Sequence, residues 1–203
     1  MLLTNEQFDQ LSEFHEQLHD YRDLFNAPTL VTLGSLGLVL SGCREIDTIK
    51  GVNKIVAGRG GDLIDGFLAR LLDQQTDTGA FVDTAADKTG MAAITIAAWH
   101  KKAIPRVPLT VIAGKQALNV GLTAITAHNH PGQSFRPNPY GKQAMAADNA
   151  TYIGYLYSNA LEKERPDLNL HQGFAMLGRT AFAAGSALSV PATLEYADRA
   201  FRR

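Results

Sequence analysis

Apolar and charged positions alternate with a helical rhythm from the start of the chain. Phe8, Leu11, Phe14, Leu18 and Tyr21 recur three and four residues apart among charged neighbours, which predicts an amphipathic helix over residues 1–22. A cleavable leader would show an unbroken apolar stretch, and none is present there. Between Asp23 and Arg44 lie twenty residues without a charge. As a helix they would span about 30 Å, the depth of a bilayer core. Asn26 suits the cap of this helix and Pro28 its first turn. A second uncharged run covers 116–135, but only its first part is predicted helical, because His128-Asn129-His130-Pro131-Gly132 is a turn signal. Shorter apolar segments occupy 89–100, 107–114, 149–161 and 180–190. They are rich in Ala, Gly, Ser and Thr, which lets helices approach closely in a membrane bundle and equally suits a soluble Ala-rich one. Sustained alternation of the strand type is missing, and 128–141 and 162–167 read as loops. The expectation is an all-α chain of six or seven helices, with 1–22 as an appendage to a domain over 23–203.

Composition narrows the classes. With 203 residues, 45% hydrophobic, 19% charged and a net charge of −1, the chain suits one folded domain and not a disordered one. The near-zero charge gives no bulk electrostatic case for a nucleic-acid partner. The single cysteine, Cys43, excludes an internal disulfide and a cysteine zinc cluster. The mean hydropathy, −0.09, taken alone argues against a protein with several membrane spans.

The acidic residues of 62–87 change this picture. Asp62 and Asp65 are three residues apart and share a helix face, which Ala69 continues. Gly79, Asp83 and Asp87 follow at intervals of four and share a face of the next helix. The polar stretch 73–78 between them reads as a short turn, with Thr76 or Thr78 as a cap. Folded as a hairpin, the two helices bring four carboxylates together. Such a set persists only with compensating cations, and oxygen-only ligands select Mg²⁺ or Mn²⁺ over zinc. Two such ions about 4 Å apart make the two-metal device for displacement at phosphorus. Gly66, Ala69 and Gly79 leave room against the helix backbone, and Arg70 offers a planar fork for phosphate. Each acidic pair taken singly reads as an ordinary solvated helix face. The complete set carries the argument.

Asp62-x2-Asp65-Gly66-x2-Ala69-Arg70-x8-Gly79-x3-Asp83-x3-Asp87 resembles the signature of the CDP-alcohol phosphatidyltransferase family at every fixed position. Pro28-Thr29-Leu30-Val31-Thr32 resembles that family's proline-led first membrane helix, and Gly141-Lys142 resembles a Gly-Lys of its glycerophosphate branch. The resemblance implies a polytopic membrane bundle of about six transmembrane helices, homodimeric, with the site open to the cytoplasmic side of the cell membrane. It implies transfer of a phosphatidyl group from CDP-diacylglycerol to an acceptor alcohol, with release of CMP, in phospholipid synthesis. Carried over by position, Asp62, Asp65 and Asp83 are metal ligands. Asp87 is a ligand and also the base that takes the acceptor proton. Gly66, Ala69, Arg70, Thr76 and Gly79 line the CDP site, with Thr29 and Thr32 from the first helix. The implied cofactor is a pair of Mg²⁺ or Mn²⁺ ions, and glycerol 3-phosphate is the first expectation for the acceptor.

The departures are informative. Ser35 stands where relatives often carry Arg, and Thr29 where they often carry Asn or Asp. The second helix, usually apolar before its first Asp, here holds Lys50, Lys54 and Arg59. Charges in lipid are costly, about 2.5–3.5 kcal/mol each on insertion scales, so these must snorkel or turn inward, or the helix barely enters the bilayer. Arg59 precedes Asp62 by three residues, on the same helix face, and is expected to point into the pocket. Lys115, Lys142 and Arg179 are candidates for a basic acceptor subsite or for interfacial positive charge. His128 and His130 form a bare pair with no third ligand nearby in sequence. Trp99, His100, Tyr152, Tyr155 and Tyr157 read as interface anchors or as helix packing. Two rival readings remain: a non-catalytic helical relative, and a soluble Mg²⁺-dependent phosphotransferase.

Overall fold

The computed structural model describes residues 27–71, 77–129 and 139–201, with backbone alone at 27–28, 62–71, 77–81, 84 and 127. The amphipathic helix expected over 1–22 lies outside the described residues. Within them, regular structure is helical throughout: α1 (Ala27–Arg44), α2 (Ile49–Leu71), α3 (Asp77–Lys101), α4 (Arg106–Asn129), α5 (Pro139–Glu164) and α6 (Leu170–Phe201), with a 3₁₀ turn at Pro166–Leu168.

Local chemistry sets the boundaries. Thr48 opens α2: its hydroxyl accepts from the Gly51 N–H at 3.0 Å and donates to the Glu45 carbonyl at 2.9 Å. Past α3, Lys102 takes a left-handed φ of 54°, and Pro105 precedes α4. Asn169, at φ 50°, makes the same kind of reversal before α6. The loop expected at 128–141 is helical at both of its described edges, and residues 130–138 lie outside the described residues. α4 continues to Asn129 and α5 begins at Pro139, because proline in a first helical turn is tolerated.

Two compact units divide the chain. One comprises Met1–Cys43 with Asn53–Ile94, the other Arg44–Val52 with Thr95–Arg203. In the first, α1 and α2 nearly touch backbones. A Cβ placed on Gly58 would sit 2.5 Å from the Ser35 carbonyl oxygen, and one on Gly61 would sit 1.9 Å from the Ser35 hydroxyl. This is the small-residue contact the composition predicts. Lys54 reaches from α2 to the Ser41 hydroxyl on α1 at 3.1 Å. Val39, Ile55 and Ile94 supply buried apolar volume.

In the second unit α5 and α6 pack along one another. Gly154 and Gly178 make that possible, since a Cβ on Gly154 would lie 2.6 Å from the Gly178 nitrogen. The Tyr155 ring covers Gly178, and Tyr157 tilts against Phe174 with centroids 5.0 Å apart. Tyr152 shares a 2.8 Å hydrogen bond with Thr95. These tyrosines are therefore packing residues. Trp99 instead is exposed, with the Arg106 guanidinium 5.2 Å from its ring centre.

Polarity in α1 is arranged inside out. Thr29, Thr32 and Ser35 are buried one turn apart, while Leu30, Leu33, Leu38 and Leu40 are exposed. α6 likewise exposes Met176 and Leu194 while burying Ser189, whereas α4 exposes Val107 and Val120 but buries Leu109, Ile112 and Leu122 together with Thr126. Among the described residues, however, no helix is long and apolar enough to cross a membrane.

Candidate functional site

The two halves of the acidic motif fall on consecutive helices. Asp62, Asp65, Gly66, Ala69 and Arg70 belong to the last turns of α2. Gly79 lies in the first turn of α3, with Asp83 and Asp87 one and two turns further on. Thr76 lies outside the described residues, as do the side chains of Asp62, Asp65, Ala69 and Arg70. Among the described residues no three metal-binding side chains are gathered. The visible part of the constellation is therefore Asp83 and Asp87 and what surrounds them.

Asp83 is exposed. Asp87 is largely enclosed, at 15% side-chain exposure, and its Oδ1 accepts a 2.6 Å hydrogen bond from Nη1 of Arg59, itself 13% exposed. Lys88 stands further off, 3.9 Å from Oδ2 and half exposed. The Arg59–Asp87 pair spans α2 and α3, so the segment of α2 leading into Asp62 lies against α3 at Asp87. Asp62 follows Arg59 by three residues, about 4.5 Å along the helix axis. The neighbouring contact of Gly61 with Ser35 brings α1 to the same turn of α2. Arg59, expected to face the pocket, turns to the fourth acid of the motif. Thr29 and Thr32 lie on α1, both buried.

The described donors fit a hard divalent ion in kind. Asp83 and Asp87 offer carboxylate oxygens alone, one turn apart, and the enclosed member already holds a cation.

A second polar centre lies within the other unit. Lys115 on α4 donates to Asp148 Oδ1 on α5 at 2.7 Å, with side chains 14% and 4% exposed. Gly185 on α6 makes room, since a Cβ there would be 2.8 Å from the same oxygen. Lys115 is thus neutralised by a partner that the spacing of motifs did not point to. A signal was present: Asp148 is the sole acid between Asp87 and Glu162, and Lys115 the sole Lys or Arg between Arg106 and Arg136. Isolated opposite charges in apolar helices find each other because an unpaired one is so costly. Lys142, Arg179 and His128 are exposed, and His130 lies outside the described residues.

The described residues are helical, and the motif's carboxylates fall one turn apart on two consecutive helices. The chain belongs to the CDP-alcohol phosphatidyltransferase family, whose model matches residues 25–187. That family is a group of phosphotransferases, and phosphatidyl transfer in phospholipid synthesis is its chemistry. The match begins just after the stretch 1–22. Neither a curated protein nor a solved structure matches the chain significantly.

Proposed function

We propose that this protein transfers a phosphatidyl group from CDP-diacylglycerol to glycerol 3-phosphate, with release of CMP. The observation that carries the reading is the complete acidic motif, divided between α2 and α3, inside the family match. Gly141-Lys142, in the first turn of α5, supports glycerol 3-phosphate over serine or an inositol phosphate.

In this reading Asp62, Asp65, Asp83 and Asp87 hold two Mg²⁺ or Mn²⁺ ions. Bound there, the ions supply charge neutralisation at the pyrophosphate and at the departing CMP. Gly66, Ala69 and Gly79 keep the helix surfaces low, Arg70 and Thr76 bind phosphate oxygens, and Thr29 and Thr32 contribute hydroxyls from α1. Asp87 accepts the acceptor's hydroxyl proton. The acceptor oxygen forms a bond to the phosphatidyl phosphorus as the pyrophosphate P–O bond breaks, and CMP leaves with the bridging oxygen.

The family supports a multi-pass place in the cell membrane, a cytoplasm-facing site and a homodimer. The inverted polarity of α1 and α6 and the apolar residues exposed on α4 support the membrane part of this reading. The modest hydropathy of the helices favours a second reading, a phosphotransferase working in water.

The test is CMP release by purified protein in mixed micelles with CDP-diacylglycerol. Release should require Mg²⁺ or Mn²⁺ together with glycerol 3-phosphate, and Asp87→Asn should abolish it. Release with serine or an inositol phosphate instead would reassign the acceptor. No release with any acceptor, while a related enzyme turns over in the same assay, would remove the catalytic reading.

A further inference from the structure

Arg59 is a charged residue within α2, and among its contacts is a short one to Asp87 on α3. Its guanidinium bonds Asp87 at 2.6 Å, and both side chains are largely shielded from water. Shielding makes the contact matter, since exposed ion pairs contribute little and enclosed ones respond strongly to loss of a partner. Oδ1 of Asp87 is taken by Arg59, while the nearest cation to Oδ2 is Lys88, 3.9 Å away and half exposed. One carboxylate thus has one oxygen committed and one available.

We propose that Arg59 is the resident counter-cation of Asp87, a positioning residue that shares this carboxylate with the divalent ion. The inference rests on the reading of Asp87 as a metal ligand and adds a specific consequence. A fixed positive charge beside a cation site repels the ion and draws charge from its ligand. Arg59 therefore weakens divalent-ion binding and holds Asp87 in place when the ion is absent. A merely structural arginine would do the opposite, because its removal would loosen the site and weaken binding.

The experiment uses the full chain in detergent micelles, stripped of metal with EDTA and titrated with Mn²⁺, with free Mn²⁺ read by electron paramagnetic resonance. Arg59→Gln should bind Mn²⁺ about 3- to 10-fold more tightly than the parent, as expected for loss of one nearby charge partly screened by its surroundings. Without metal this variant should melt at a lower temperature than the parent, and saturating Mn²⁺ should narrow the gap. Arg59→Lys keeps the charge and loses the planar fork, so its affinity should stay close to the parent's. Equal or weaker Mn²⁺ binding by folded Arg59→Gln overturns the proposal. If that variant does not fold, Arg59→Met, which also removes the charge, decides, and an affinity no tighter than the parent's overturns the proposal. Asp87→Asn separates the premise from the inference: it should lower Mn²⁺ affinity at least about tenfold, consistent with loss of a charged ligand. Unchanged affinity in Asp87→Asn removes Asp87 from the metal site, whatever Arg59 does.

Discussion

Lys115 and Asp148 show how much one residue can depend on another thirty-three positions away. Their side chains are enclosed, and Gly185 leaves the space they fill. Lys115→Met should destabilise the protein by about 3–5 kcal/mol, because it strands a buried carboxylate. Adding Asp148→Leu should return most of that loss, since an apolar pair of similar volume replaces the charged one. Thermal unfolding of the three variants in detergent reads both effects. The same comparison shows what was legible at this scale. Asp87 stood out because its spacing to Gly79 and Asp83 is a helical repeat. Arg59 was legible as to its face, three residues before Asp62, but not as to its partner. Nothing local links positions 59 and 87, and only the pairing of α2 with α3 brings them together.

Between elements, the contact of α1 with α2 turns on Gly58 and Gly61. A methyl group at Gly58 meets the Ser35 carbonyl and the Val39 side chain, and backbone cannot rotate aside. Gly58→Ala should therefore lower stability by about 1–3 kcal/mol, the usual range for overpacking. The gain in helix propensity, about 1 kcal/mol, offsets part of this. At Gly61 the nearest obstacle is the Ser35 hydroxyl, which can change rotamer, so Gly61→Ala should cost less. Melting temperatures of the two variants in matched detergent test the order. The missing Cβ of Gly61 leaves the room that the Ser35 hydroxyl occupies. Helix type was legible throughout the described residues, and extent was less so. α1 is bounded near its charge-free run, with Pro28 in the first turn. α5 and α6 run well beyond their apolar segments, since their helical periodicity is blurred by Ala, Gly, Ser and Thr and, in α5, by Asp148, which is paired inside.

For the molecule as a whole, mean hydropathy is a poor guide because it ignores direction. Lys54, Arg59 and Lys115 lower the average, yet each reaches a polar partner on a neighbouring helix while leucines and valines face outward. Alkaline carbonate washing of membranes from expressing cells should accordingly leave the protein in the pellet. Release into the supernatant would favour the water-soluble reading. Part of the candidate site could be read from the motif alone, and Arg59 was legible beside it, but the pairing of Arg59 with Asp87 was not, since those positions lie on different helices. One further feature concerns the connector between α1 and α2. Asp47 there lies within 3.7 Å of Lys101 at the end of α3 and 3.1 Å of Lys163 near the end of α5, with the Asn159 amide at 3.5 Å. Two cations serving one anion make a redundant fastening. Drift at either lysine is buffered by the other, whereas loss of the single aspartate releases both helix ends together. Tolerance to mutation at this end is therefore lopsided, wide for the bases and narrow for the acid.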